Sequence, residues 1–146
     1  MQINSLSLAP FAGIHRLQVD FKPGLNVLLG PNEAGKSTVV EALFAVLFQS
    51  IKLKRSVRAD MEFQRRAWQY PDGDHAHLQL QFLAADTQYT LTKHWQQEKS
   101  YAGLFDGGHT VMEEEVINRR LAPFLRYGAV TYANVLFARQ HTFRNT

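Results

Sequence analysis

Hydrophobic and polar positions alternate with two different periods along these 146 residues. Residues 2 to 8 read as a strand that turns near Pro10 to Gly13. In "IHRLQVDF", Leu17, Val19 and Phe21 alternate with polar neighbours, which predicts a second strand with one buried face. Pro23-Gly24 marks a turn, and Leu25, Val27, Leu28 and Leu29 form an almost continuous apolar run, as in a strand buried on both faces. From about Gly35 to Gln49 the period changes. Val39, Val40, Ala42, Leu43, Phe44, Val46, Leu47 and Phe48 are apolar nearly all round, which predicts a helix packed inside a domain. Residues 51 to 70 show no clean period and read as a loop.

Strict alternation then returns. Leu78, Leu80 and Phe82, followed by Tyr89, Leu91 and Lys93, flank Asp86-Thr87 and predict an antiparallel hairpin. A short strand over Tyr101 to Phe105 ends at Asp106-Gly107-Gly108. Thr110 with Glu113 has capping-box spacing, so a helix is expected from Thr110, with Glu113, Glu114 and Glu115 in its first turn. Ile117, Leu121, Phe124 and Leu125 would be its buried stripe, and Pro123 must end or kink it. "NVLFARQ" reads as a last strand.

Between the third strand and the apolar helix lies Gly30-Pro31-Asn32-Glu33-Ala34-Gly35-Lys36-Ser37, a full match to the phosphate-binding loop G-x-x-x-x-G-K-[ST]. Strand, glycine loop and buried helix form the setting this chemistry needs. Gly30 and Gly35 allow a close backbone approach to a phosphate. The amides of Asn32, Glu33, Ala34, Gly35, Lys36, Ser37 and Thr38 would point at it from a helix N-terminus, where the dipole favours negative charge. Lys36 should reach the β- and γ-phosphates, Ser37 should join a Mg²⁺ shell, and Thr38 is placed for the α-phosphate. A nucleoside triphosphate with Mg²⁺ is therefore the expected ligand.

Composition narrows the classes. The chain is 45% hydrophobic and 20% charged, enough to bury the core of one domain of ordinary size. With no cysteine, disulfides and thiolate–zinc sites are excluded, and a cytoplasmic setting is expected. The first residues lack the basic start and apolar core of a signal peptide, and no run is long enough to span a bilayer. A net charge of +3 decides nothing about nucleic acid.

The chain resembles the N-terminal head segment of the SMC/RecF/SbcC group of chromosome and DNA-repair ATPases. The resemblance rests on "INSLSLAPFAGIHRLQVDFKPGLNVLLGPNEAGKST", on the hairpin at 77 to 95 and on "VLFARQ". "GPNEAGKST" is similar to SbcC-like and YhaN-like members in particular. The resemblance implies an α/β P-loop NTPase fold, an ABC/SMC-type head lobe with a mixed sheet, an antiparallel side hairpin and a central P-loop helix. Residues 1–146 would be the N-terminal half of the head, cut before the coiled coil. It also implies ATP as the nucleotide, Asn32 near the γ-phosphate, Gln140 in the Mg²⁺ or attacking-water shell, and adenine near Phe11-Ala12-Gly13. Some members carry Arg where this chain has Ala12.

The implied partners are the C-terminal half of the same head, a second head, DNA and a nuclease, with no membrane. The acidic Walker B strand, signature motif and switch histidine belong to that C-terminal half. Asp86 follows an apolar run but is followed by Thr87, and it reads as a hairpin turn. No residue of this chain is assigned a catalytic role.

Other signals have two readings. Lys52, Lys54, Arg55, Arg58, Arg65 and Arg66, interleaved with Phe63, Trp68 and Tyr70, form either a phosphate-facing patch for nucleotide or DNA or a solvated loop with tucked aromatics. Lys54, Arg55 and Arg58 are the contacts named for such a patch. His75-x-His77 offers two imidazoles on one strand face, but it reads better as a polar strand start. Two rival functions stay open. One is a small-molecule P-loop kinase, with residues 52 to 66 as its lid, and the other is a non-catalytic nucleotide-binding remnant.

Overall fold

Leucines at every second position build one face of a sheet. In the computed structural model, which describes residues 1–21, 33–69 and 73–125 and the side chains of the first helix from Thr38 onward, β1 (Gln2–Leu8) buries Leu6 and Leu8 completely. β2 (Leu17–Asp20) returns antiparallel beside it, with Leu17 and Val19 turned inward and half-buried. β3 (His75–Ala84) and β4 (Thr87–Gln96) form the expected hairpin, paired from Ala84↔Thr87 to His75↔Gln96. Ala85 and Asp86 make its turn with φ of 49° and 62°, the left-handed pair that matches strand twist. β5 (Tyr101–Phe105) and β6 (Thr110–Val111) extend the sheet to the order β2-β1-β3-β4-β5-β6, every pairing antiparallel.

The hairpin is thus the middle of the described sheet. β1 lies along β3 from Gln2↔Leu83 to Leu8↔Leu78, which brings the inward leucines of both strands onto one face. The expected third strand, Leu25 to Leu29, and the last, "NVLFARQ", lie outside the described residues.

Among the described residues three α-helices cover the apolar face. α1 (Glu33–Phe48) starts two residues before the expected Gly35. Val39, Val40, Ala42, Leu43, Ala45, Val46 and Leu47 are buried around most of its circumference. All of these but Val40 form the core with Leu78, Leu80, Phe82, Leu91, Trp95 and Leu104, each large side chain contributing roughly 1.5–3 kcal/mol through its removal from water.

α2 (Arg58–Ala67) corrects the loop expected over 51 to 70. Ala59, Phe63 and Ala67 recur at i, i+4 and i+8, a helical period that sequence reasoning missed, and no residue is Gly, Pro or β-branched, so the intrinsic preference is helical. Two residues one turn apart anchor it. Phe63 packs against Phe11 (ring centroids 6.2 Å) and Trp95 (5.1 Å), and Ala67 is buried. The second correction concerns Thr110, which does not begin a helix. Thr110 and Val111 pair with Phe105 and Leu104, as β-branched residues after a tight turn should. The Asp106 carboxylate holds that turn by accepting from the amides of Gly108 (3.0 Å) and His109 (2.7 Å). α3 (Glu114–Leu121) starts four residues later, with Ile117 and Leu121 buried and Glu114 and Glu115 in the first turn. It ends in a short 3-10 turn, Ala122–Phe124, containing Pro123.

Candidate nucleotide site

α1 carries the phosphate-loop residues into its first turns, since Glu33, Ala34, Gly35, Lys36 and Ser37 are helical from Glu33 onward. The first four amides of any helix lack acceptors inside it. Here those amides belong to the residues the motif assigns to phosphate. Asn32 and Gln140 lie outside the described residues, as do the side chains of Glu33 to Ser37. Thr38 is described. It is 3% exposed, and its Oγ1 accepts a hydrogen bond from Arg66 Nη2 at 3.3 Å.

Arg66 reaches α1 from the last turn of α2. Its Nε and Nη2 donate to the Glu41 carboxylate at 3.0 and 3.4 Å, and Nη1 donates to Gln69 Oε1 at 3.2 Å. The same end of α2 holds the turn that the resemblance places near adenine. The Ala12 amide donates to the Ala67 carbonyl at 2.9 Å. Ala12 and Gly13 both have left-handed backbones, with φ of 50° and 90°. A Cβ on Gly13 would stand 3.3 Å from the Gln69 carbonyl oxygen, a tight contact, and the positive φ itself favours glycine there. The Phe11–Gly13 turn, the second turn of α1 and the C-terminal end of α2 therefore meet at one place.

The rest of the basic segment lies elsewhere. The Asp60 carboxylate accepts from the Lys54 amide (3.0 Å) and from Gln49 Nε2 (3.3 Å), so Lys54 sits at the C-terminal end of α1. Sixteen helical residues span about 24 Å, so Lys54 is remote from any nucleotide held at Glu33. Lys54, Arg55 and Arg58 are exposed, and Arg58 pairs with Glu62 at 3.0 Å on the solvent side of α2. The aromatics interleaved with them do not form a shared surface. Phe63 is core-facing, while Trp68 is half-buried beside a cleft of about 390 Å³ next to the β4–β5 turn, and its indole N–H finds no acceptor among the described residues. Tyr70 lies outside them.

Sequence reasoning counted Arg66 in a diffuse patch and missed its place. Once α2 is a helix, Arg66 stands three residues after Phe63 and next to Ala67, on the inward face. The structure also brings His94 opposite His77, Nδ1 to Nδ1 at 3.0 Å, with Tyr101 stacked on His94. Burial, then the neighbouring His94 and His75, hold the His77 imidazole below its ordinary pKa of 6.5. No group of three or more metal-ligating side chains occurs among the described residues.

The other end of α1 is closed by β4. Lys93, 1% exposed, donates from Nζ to the Gln49 carbonyl at 2.8 Å, and Trp95 Nε1 donates to the Ser50 carbonyl at 3.0 Å. Glu114 accepts from Ser50 Oγ (2.9 Å) and the Ile51 amide (2.8 Å). An ammonium at a helix C-terminus meets the negative end of the dipole. Burial still dominates, lowering the Lys93 pKa to about 8 against the opposing pull of Glu114.

Comparison with known proteins gives the chain a family. RecF of Desulfitobacterium hafniense, a DNA replication and repair protein, is 28% identical over 99 residues, 68% of this chain and 25% of that protein. The DNA double-strand break repair Rad50 ATPase of Pyrococcus abyssi is 26% identical over 109 residues, 74% of this chain and 12% of Rad50. RecF of Roseiflexus castenholzii is 46% identical over 44 residues, 30% of this chain and 11% of that protein. The chain therefore spans from 11% to 25% of the length of these three relatives. The AAA domain model AAA_23 matches residues 5–122. The chain belongs to this family of AAA domains, which are nucleotide-binding, as an N-terminal segment distantly homologous to RecF and Rad50.

Proposed function

We propose that this chain is the ATP- and Mg²⁺-binding N-terminal half of an SMC/SbcC-like ATPase head serving DNA double-strand-break repair or chromosome maintenance. One observation carries the reading. A complete phosphate-loop motif opens a buried helix, in a chain that belongs to a nucleotide-binding family. The donor set fits a polyphosphate, with first-turn amides of α1, the Thr38 hydroxyl and the Arg66 guanidinium at one helix end. Asn32 through Thr38 would hold the phosphates, with Lys36 on the β- and γ-groups and adenine near Ala12 and Gly13. Ser37 and Gln140 would hold Mg²⁺, whose chemistry is to neutralise charge developing on the transferred phosphoryl group.

The names of the relatives, replication and repair proteins, support the DNA assignment. In this reading the other half-head and a second head complete the site, and a nuclease is a further partner. Lys54, Arg55 and Arg58 are exposed at the distal end of α1, where they suit DNA backbone phosphates rather than the bound nucleotide. Among the described residues no helix is long and apolar enough to cross a membrane, which suits the cytoplasmic setting proposed here. The isolated chain binds ATP but turns over almost none, because the carboxylate that orients water belongs to the other half.

The test is the melting temperature with and without Mg²⁺-ATP, beside Lys36→Ala. At a hundredfold its dissociation constant a ligand adds about 2.7 kcal/mol. A shift that Lys36→Ala abolishes supports the reading. Robust hydrolysis by the pure chain would sink the division of labour between the two halves.

A further inference from the structure

Arg66 stands out because its position and its bonding point in different directions. Its guanidinium lies on the Thr38 hydroxyl, which the motif assigns to the α-phosphate, yet its charge is spent on Glu41. A guanidinium carries five N–H donors. Among the described residues Arg66 makes four bonds, one from Nε, one from Nη1 and two from Nη2, which leaves an Nη1–H without an acceptor among them. The Arg66 and Glu41 side chains are 41% and 34% exposed, so their pair is partly solvated and readily exchanged for a stronger partner.

We infer that Arg66 is a phosphate-reading residue of the nucleotide site, held by Glu41 and shared with the α-phosphate when a nucleotide is bound. This rests on the nucleotide-binding reading above. An anion at the Thr38 hydroxyl lies within reach of the guanidinium without any rearrangement of α2, whose last turn is fixed by Ala67 and Phe63. Glu41 then acts against the ligand, because its carboxylate competes with phosphate oxygens for the same N–H groups. The two residues therefore have opposite effects on affinity, although they form one salt bridge. A purely structural clamp between α1 and α2 would make both substitutions weaken binding alike.

The experiment measures dissociation constants of Mg²⁺-ATP and Mg²⁺-ADP by isothermal titration, using the 146-residue chain. Wild type is compared with Lys36→Ala, Arg66→Ala, Arg66→Lys and Glu41→Gln, each checked by circular dichroism. Losing a charge-assisted bond to phosphate should weaken both nucleotides about tenfold or more in Arg66→Ala. Arg66→Lys, which keeps the charge, should recover part of that loss, and Glu41→Gln should tighten both nucleotides by about threefold. The inference is overturned if Glu41→Gln weakens binding as Arg66→Ala does. Equally decisive against it would be a loss in Arg66→Ala for ATP but not ADP, which would place the contact beyond the α-phosphate. Should Arg66→Ala not fold, the Arg66→Lys and Glu41→Gln titrations decide alone. Wild type that binds no nucleotide overturns the underlying reading, and this inference with it. Binding abolished by Lys36→Ala but untouched at Arg66 overturns the inference alone.

Discussion

The two ends of α1 are held by different kinds of force. At the C-terminal end, buried side chains of β4 grip the last carbonyls: Lys93 on Gln49 and Trp95 on Ser50, with Glu114 holding the Ser50–Ile51 corner. Toward the N-terminal end, in the second and third turns, the described grip is a half-exposed salt bridge and a hydroxyl contact. One end is fixed by burial and the other by exchangeable charge. A helix that must hold its position while its first turn meets a charged ligand needs this division, because buried contacts resist water and charged contacts can change partner.

Truncation at the locked end should have the largest effect. Trp95→Ala removes a fully buried indole and its bond to Ser50, and a loss of about 3–5 kcal/mol is expected in urea unfolding. A loss below 1 kcal/mol would mean that the C-terminal end is not the anchor. Glu114→Ala comes next. It strands the Ile51 amide and the Ser50 hydroxyl, at a cost of about 1–3 kcal/mol.

Lys93 sharpens the comparison through pH. The folded chain releases its proton at about 8 and the unfolded chain near 10.5, so between these values the unfolded state binds more protons. Raising pH through that window should therefore stabilise wild type relative to Lys93→Met, by up to roughly 3 kcal/mol, and below pH 8 the burial cost is present in full. Parallel stability curves for the two proteins would show that Lys93 is solvated. The acid side has the same sign, because the His77 pKa is also lowered on folding. His77 titrates below 6.5 when folded, so wild type should lose stability relative to His77→Gln as pH falls under 6.5. At the exchangeable end, Arg66→Ala should cost the ligand-free chain less than about 1 kcal/mol in the same urea experiment.

Much of this was legible wherever period and chemistry agreed. Leu78, Leu80 and Phe82 on one strand and Tyr89 and Leu91 on the next announced the hairpin, and its turn lies at Ala85-Asp86. The apolar circumference of residues 39 to 48 announced a core helix. The misses fell where tertiary contact decides. α2 is short and polar, its period rests on three residues, and two of them, Phe63 and Ala67, hold it to the core. Thr110 met the local rule for a helix start but was taken by strand pairing with Phe105. The position of Arg66 depended on α2 and was lost with it, whereas the glycine-loop spacing needed no tertiary information.

Lys93 has a further use as a chemical reporter. An amine that is 1% exposed and bonded to a helix carbonyl is shielded from acylating reagents, while lysines such as Lys52 and Lys54 on the exposed segment meet them at once. Modification of Lys93 then proceeds only through openings that part α1 from β4. Its labelling rate, read peptide by peptide, counts how often the core releases the helix that presents the phosphate loop.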